Sequence, residues 1–162
     1  MVLSISICYA NEETTTSLLT VSGNTSLISS GDNGNFQIRV ENVNPNVTIT
    51  QTNQTVTGLL KKVIPADPCI AALIFSGINE NETVFLVQVS NPEYSSDNET
   101  LSWNVTPQKF YDGVILTEYA KNITEFKPGS YPMTHVYLES PLRKVQNGCE
   151  TLPNGEVYCT FD

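Results

Sequence analysis

Val84-Phe-Leu-Val-Gln-Val89, then Asn91-Pro-Glu-Tyr-Ser-Ser-Asp-Asn-Glu-Thr100, then Leu101-Ser-Trp-Asn-Val105 follow one another along the chain, and their reading decides the fold. The first is a nearly continuous apolar run, too short for a buried helix and bounded by Pro92. The last alternates apolar and polar residues at the two-residue period of a strand. The polar middle piece is rich in turn formers. Together they predict an antiparallel hairpin with Trp103 facing the core. A second apolar run, Ile70-Ala-Ala-Leu-Ile-Phe75, lies between Pro68 and Gly77 and predicts another central strand.

Outward from these runs, Phe36, Ile38 and Val40 alternate with Gln37, Arg39 and Glu41, and Val47, Ile49 and Gln51 alternate with threonines. Such alternation fits antiparallel sheets with one solvated face. Helical periodicity is almost absent. Strands are expected over 16–22, 35–41, 46–52, 56–63, 70–75, 83–90, 100–106, 114–119, 134–139 and 157–161. Pro65, Pro68, Pro128, Pro132 and Pro141 are read as stiffeners and strand stops, and 121–132 as a surface loop. With 162 residues, 40% of them hydrophobic, the chain suits one domain. The expected fold is all-β: an antiparallel β-sandwich of immunoglobulin-like size with roughly eight to ten strands. Residues 17–162 form that sandwich and end in a cysteine hairpin. Residues 1–16 form an N-terminal strand and a flexible segment.

Seven Asn-x-Ser/Thr sequons occur, at Asn24, Asn46, Asn53, Asn81, Asn98, Asn104 and Asn122, none with a central proline. The composition alone would yield about three. Glycans are bulky and solvated, so occupied sequons must lie on the surface of a chain routed through a secretory pathway. The excess of 17 acidic over 8 basic residues, a net charge of −9, disfavours nucleic acid and anionic lipid as partners. No stretch has the apolar length of a membrane-spanning helix.

Four cysteines fit disulfides in such a setting. Cys149 and Cys159 flank a segment containing Pro153-Asn-Gly155, a turn signal that places them on opposite arms of one hairpin and favours pairing them. Cys8 and Cys69 would form the second pair. Zinc is disfavoured by the lack of Cys-x-x-Cys spacing and the single histidine. Met1-Val-Leu-Ser-Ile-Ser-Ile-Cys-Tyr-Ala10 has two readings. It resembles the tail of a signal peptide, cleaved after Ala10. It also shows Leu3, Ile5, Ile7 and Tyr9 at strand period, as a donor strand would.

Candidate chemistry is sparse. His135, with Tyr137 and Glu139 on the same strand face, has no nucleophile elbow to serve. Acidic residues are too abundant for any carboxylate pair to signal a glycosidase. Calcium would find oxygen ligands in 31–35 or at Glu93, Asp97 and Glu99, though neither stretch has the EF-hand spacing. Trp103, Tyr111, Tyr119, Tyr131 and Tyr137 are the aromatic candidates for a carbohydrate platform. The expectation is a non-enzymatic, cofactor-free, extracellular or cell-surface glycoprotein with a structural or adhesive role. Its partners would be copies of itself or other surface proteins, and strand donation from Leu3, Ile5, Ile7 and Tyr9 would build a filament. The alternative is a soluble binding module that takes a carbohydrate or protein ligand on its loops.

Overall fold

The computed structural model describes residues 14–32, 35–51, 54–76, 82–143, 149–151 and 157–159. In chain order these form β1 (Thr14–Ser30), β2 (Phe36–Glu41), β3 (Asn46–Gln51), β4 (Gln54–Leu59), α1 (Leu60–Val63), β5 (Cys69–Ser76), β6 (Glu82–Ser95), β7 (Thr100–Pro107), β8 (Gly129–Arg143), β9 (Cys149–Thr151) and β10 (Val157–Cys159). The strands share one hydrogen-bonded network in the order β2-β7-β6-β5-β8-β1-β3-β4-β10-β9. A further pairing of β2 with β1 closes β1, β2, β7, β6, β5 and β8 into a ring. Neighbours are antiparallel except where Tyr158 of β10 meets Thr57 of β4. The fold is therefore all-β, as the alternation indicated, and the β6–β7 hairpin places Trp103 in the core at 2% exposure.

Ring closure depends on β1, a strand of 17 residues. One edge pairs with β8 at constant register, from Thr14 opposite Arg143 to Ile28 opposite Gly129. The other edge changes partner. Leu18–Thr20 pair with β3, and Thr25–Ser30 pair with β2. The buried face changes with it: Leu19 and Val21 point into the core before the switch, Ser26 and Ile28 after it. On β8, Val136 and Leu138 lie in the core while Tyr131, beyond the switch, packs against it. The corner falls at Gly23, where an added Cβ would collide with Val40 Cγ1 and lie 2.9 Å from the Glu41 carbonyl. Only glycine admits so close an approach of two backbones. The strand expected to stop at Ser22 therefore continues to Ser30.

The ring is filled by alternate residues of its strands, among them Ile38, Leu73, Phe85, Val87, Leu101 and Trp103. At the end holding the β1–β2 turn, the rings of Phe36, Phe75, Phe85, Phe126 and Tyr131 make edge-on and stacked contacts with centroids 4.4–5.5 Å apart. These are the offset and edge geometries that the aromatic quadrupole favours. At the other end, the β2–β3 connection is tied down by the Val43 N–H on the Glu99 carbonyl and the Asn44 N–H on the Ser22 carbonyl.

Several expectations are corrected. The strand expected over 56–63 ends at Leu59, because β3 offers no partner beyond Asn46, and Leu60–Val63 turn into a short helix burying Leu60 and Val63. The strand expected over 114–119 is a set of turns, with the Tyr119 and Ala120 N–H groups both donating to the Leu116 carbonyl. Pro132 and Pro141 do not stop a strand. They lie within β8 where β5 no longer pairs with it, so one edge there makes no ladder and a missing N–H is tolerated. Likewise Pro92 sits inside β6 at a register shift between Ser90 and Glu93, beside Asn91 at φ 50°. The C-terminal hairpin forms, and its register sets Cys149 opposite Cys159.

In an ordinary strand, Gly→Ala adds stability of roughly 0.5–1 kcal/mol. Gly23→Ala should do the opposite and cost about 1–3 kcal/mol through overpacking at the corner, read as a lower urea midpoint at unchanged slope.

Candidate functional site

Residues 108–128 link β7 to β8 and fold back over the outside of β6, β5 and β8. The Gln108 N–H donates to the Leu86 carbonyl, and the Thr124 N–H to the Val84 carbonyl at 2.7 Å. The Thr124 hydroxyl in turn accepts the Val84 N–H at 3.2 Å. Ala72, Val84, Leu86 and Leu116 are buried but stand apart from the core inside the ring. They make a small second apolar layer beneath this segment, as is usual under long loops.

Tyr111 pins the middle of the segment. Its hydroxyl donates to Glu139 Oε2 of β8 at 2.5 Å and accepts the Leu116 N–H at 3.0 Å. Burial, followed by that bond to the Glu139 carboxylate, holds the Tyr111 phenol above its ordinary pKa. Burial does the same to Tyr131. Burial, then the neighbouring Tyr119 and Glu82, does the same to Tyr137. Tyr137 and Tyr119 stack with centroids 4.0 Å apart and planes at 15°.

Beside this stack lies an open groove of about 660 Å³ lined by Ile74, Glu82, Val84, Glu118, Tyr119, Lys121, Asn122 and Thr124. Its charged rim contains a Lys121–Glu118 ion pair at 2.7 Å. The volume falls within the roughly 300–1,000 Å³ of small-ligand clefts. Of the five aromatic residues singled out from sequence, Tyr111, Tyr119 and Tyr137 gather on this face, Trp103 is core, and Tyr131 belongs to the aromatic cluster at the ring end. Glu82, Glu118 and Lys121 had no signal of their own in the sequence. Glu82 is the middle residue of the Asn81 sequon, and Glu118 and Lys121 could have been sought only as neighbours of the Asn122 sequon.

His135, Tyr137 and Glu139 do share the outer face of β8, as alternation predicts, while Val136 and Leu138 are buried. The histidine and carboxylate are not joined, however. His135 Nδ1 lies 3.3 Å from the Ser22 hydroxyl, while Glu139 is engaged by Tyr111. No group of three or more potential metal ligands gathers among the described residues. Asp32, Asn35, Glu93, Asp97 and Glu99 are each exposed.

Asn24, Asn46, Asn98 and Asn122 are exposed. Asn104 is half-buried on the outside of β7, where its side-chain carbonyl accepts a hydrogen bond from Gln37 at 3.2 Å. Asn53 and Asn81 lie outside the described residues, as do Cys8 and the proposed donor residues Leu3, Ile5, Ile7 and Tyr9. Cys69 is a buried free thiol whose pKa is pushed up to about 11 by burial and then by the charge of Glu139. Among the described residues no helix is long and apolar enough to cross a membrane. No protein-family model, curated protein or solved structure matches the chain.

The raised phenols fix the sign of an alkaline effect. A group held above its unfolded pKa contributes fully below that value and loses its contribution as pH rises through the folded one. Stability should be insensitive to these tyrosines up to about pH 10 and then fall. Tyr111→Phe should blunt that fall. It should also cost about 1–2 kcal/mol at neutral pH through its two lost hydrogen bonds, and denaturant titrations across pH 8–11.5 check both.

Proposed function

We propose that the chain is an N-glycosylated extracellular or cell-surface protein with a structural or adhesive role and no catalytic one. The observation that carries the reading is the outward placement of the sequons on a β-ring: four of the five asparagines with described surroundings are exposed, and the fifth sits on an outer strand face. A net charge of −9 suits a solvated, glycan-bearing exterior. We further propose a Cys149–Cys159 disulfide, since directly opposed positions of an antiparallel pair bring Cβ atoms within about 4.5–5.5 Å.

Self-assembly by strand donation is narrowed by the topology. Each of the six ring strands already has a neighbour on both sides, so the ring has no gap for a donated strand. Among the described residues, open edges remain on the end strand β9, on the flanks of β8 beyond β5, and on β4, whose outer side meets β10 only at Thr57 and which is the edge proposed for donation. A strand bearing Leu3, Ile5, Ile7 and Tyr9 from another copy would add there. The alternative of a binding module acting through its loops is favoured by the groove beside Tyr119 and Tyr137.

Glycopeptide mapping after expression in a glycosylating host should find glycan at Asn24, Asn46, Asn98 and Asn122, and non-reducing digestion should recover a peptide linking Cys149 to Cys159. Bare sequons throughout would refute the glycoprotein reading. Deleting residues 1–10 should abolish any oligomer detected by light scattering if strand donation builds it.

A further inference from the structure

Asn122 is a sequon residue and also a wall of the groove. Together these two properties name an occupant. We propose that the groove is the seat of the chain's own Asn122 glycan, whose first N-acetylglucosamine packs onto Tyr119. This inference rests on the glycoprotein reading and adds to it a site and a ligand class.

The attachment step needs a lipid-linked diphospho-oligosaccharide as donor. The Asn122 side-chain amide nitrogen bonds to the anomeric carbon of the sugar, the bond from that carbon to the diphosphate oxygen breaks, the lipid diphosphate leaves, and an amide proton passes to the transferase base. In the folded chain the hydroxyl of Thr124, the third residue of this sequon, is held by the Val84 N–H, and the Thr124 N–H by the Val84 carbonyl. Transfer therefore precedes docking of the 108–128 segment, and docking then fixes Asn122 at the rim of the groove.

What the groove offers matches a pyranose. Tyr119, three residues before Asn122, is backed by Tyr137 in a stack with planes at 15°, so its ring is held as an apolar platform for the C–H face of a sugar. Ile74 and Val84 supply further apolar wall, while Glu82, Glu118 and Lys121 supply acceptors and a donor for hydroxyl and acetamido groups. The covalent link makes the association intramolecular. Weak stacking is then enough, because the sugar is present at high effective concentration. A glycan seated here also shields the second apolar layer and leaves this groove closed to an external ligand.

The experiment is a double-mutant cycle in a glycosylating host, crossing Tyr119→Ala with Asn122→Gln while the other six sequons are kept. Glycopeptide mass spectrometry first establishes occupancy at Asn122. In the glycosylated form Tyr119→Ala should lower the thermal midpoint by at least about 2 °C more than it does in the Asn122→Gln background. That excess should survive trimming of the glycan to its first sugar. Equal shifts in the two backgrounds would overturn the proposal. If Tyr119→Ala does not fold, isotope-labelled sugar on the unaltered protein gives a second reading. Ring protons of the Asn122-linked sugar should move upfield and show cross-relaxation to Tyr119, and resonances at free-glycan positions would overturn it. A bare Asn122 beside other occupied sequons removes this inference alone, whereas a wholly bare chain removes the glycoprotein reading as well.

Discussion

β1 must satisfy β8 along its full length while dividing its other edge between β3 and β2, and the rest of the structure depends on that division. A flat strand could not do this, because β2 and β3 lie on successive parts of one edge yet belong to different limbs of the network. The ribbon of β1 and β8 resolves the conflict by presenting its opposite face to the core on either side of Gly23. Glycine at the corner lets the end of β2 approach, and that approach closes the ring. Closure gives each of six strands a neighbour on both sides, which limits unwanted pairing with other chains, and prolines occupy β8 where β5 leaves one edge unpaired. Trp103 lies in the core so formed, at 2% exposure.

Outside the ring, the 108–128 segment supplies a second layer with very little regular structure of its own. It is fastened by backbone bonds to Val84 and Leu86, by the Tyr111–Glu139 bond, and by the burial of Leu116. The same fastening creates the groove. Tyr119 is carried onto Tyr137, and the Asn122 sequon is drawn along the β6 edge. The groove is thus a by-product of covering the outer faces of β5 and β6, and what fills it follows from which chemical group the segment carries there.

Much of the fold was legible in the sequence because period-two alternation survives wherever one strand face is buried. Phe36–Glu41, Asn46–Gln51 and Thr100–Pro107 are of this kind, while the continuous run Val84–Val87 was legible as a strand buried on both faces. Legibility failed where burial obeyed a different rule. Gly23 reads as a strand end, yet it is a corner within a strand. Val114-Ile-Leu-Thr-Glu-Tyr119 has the composition of a strand, but Leu116 is its one fully buried anchor and Val114 is 82% exposed. Pro132 and Pro141 read as stops because the sequence does not show that β5 leaves β8 unpaired at those positions. At the candidate site the tyrosines and the sequon were legible one by one. Their convergence was not, since it depends on the path of an irregular segment; Glu118 carries no motif, and Glu82 belongs to a different sequon, that of Asn81.

Among the described residues the sequon asparagines lie on the outside of a closed ring, and one of them, Asn122, walls the groove. The claim beneath all of this is that the ring closes between β1 and β2. Amide hydrogen exchange tests it directly. Closure predicts that the ladder amides of Thr25–Ser30 and Phe36–Glu41 exchange as slowly as those shared by β5 and β8. Rapid exchange confined to the β1–β2 ladder, with β5–β8 protected, would show an open sheet and contradict the account.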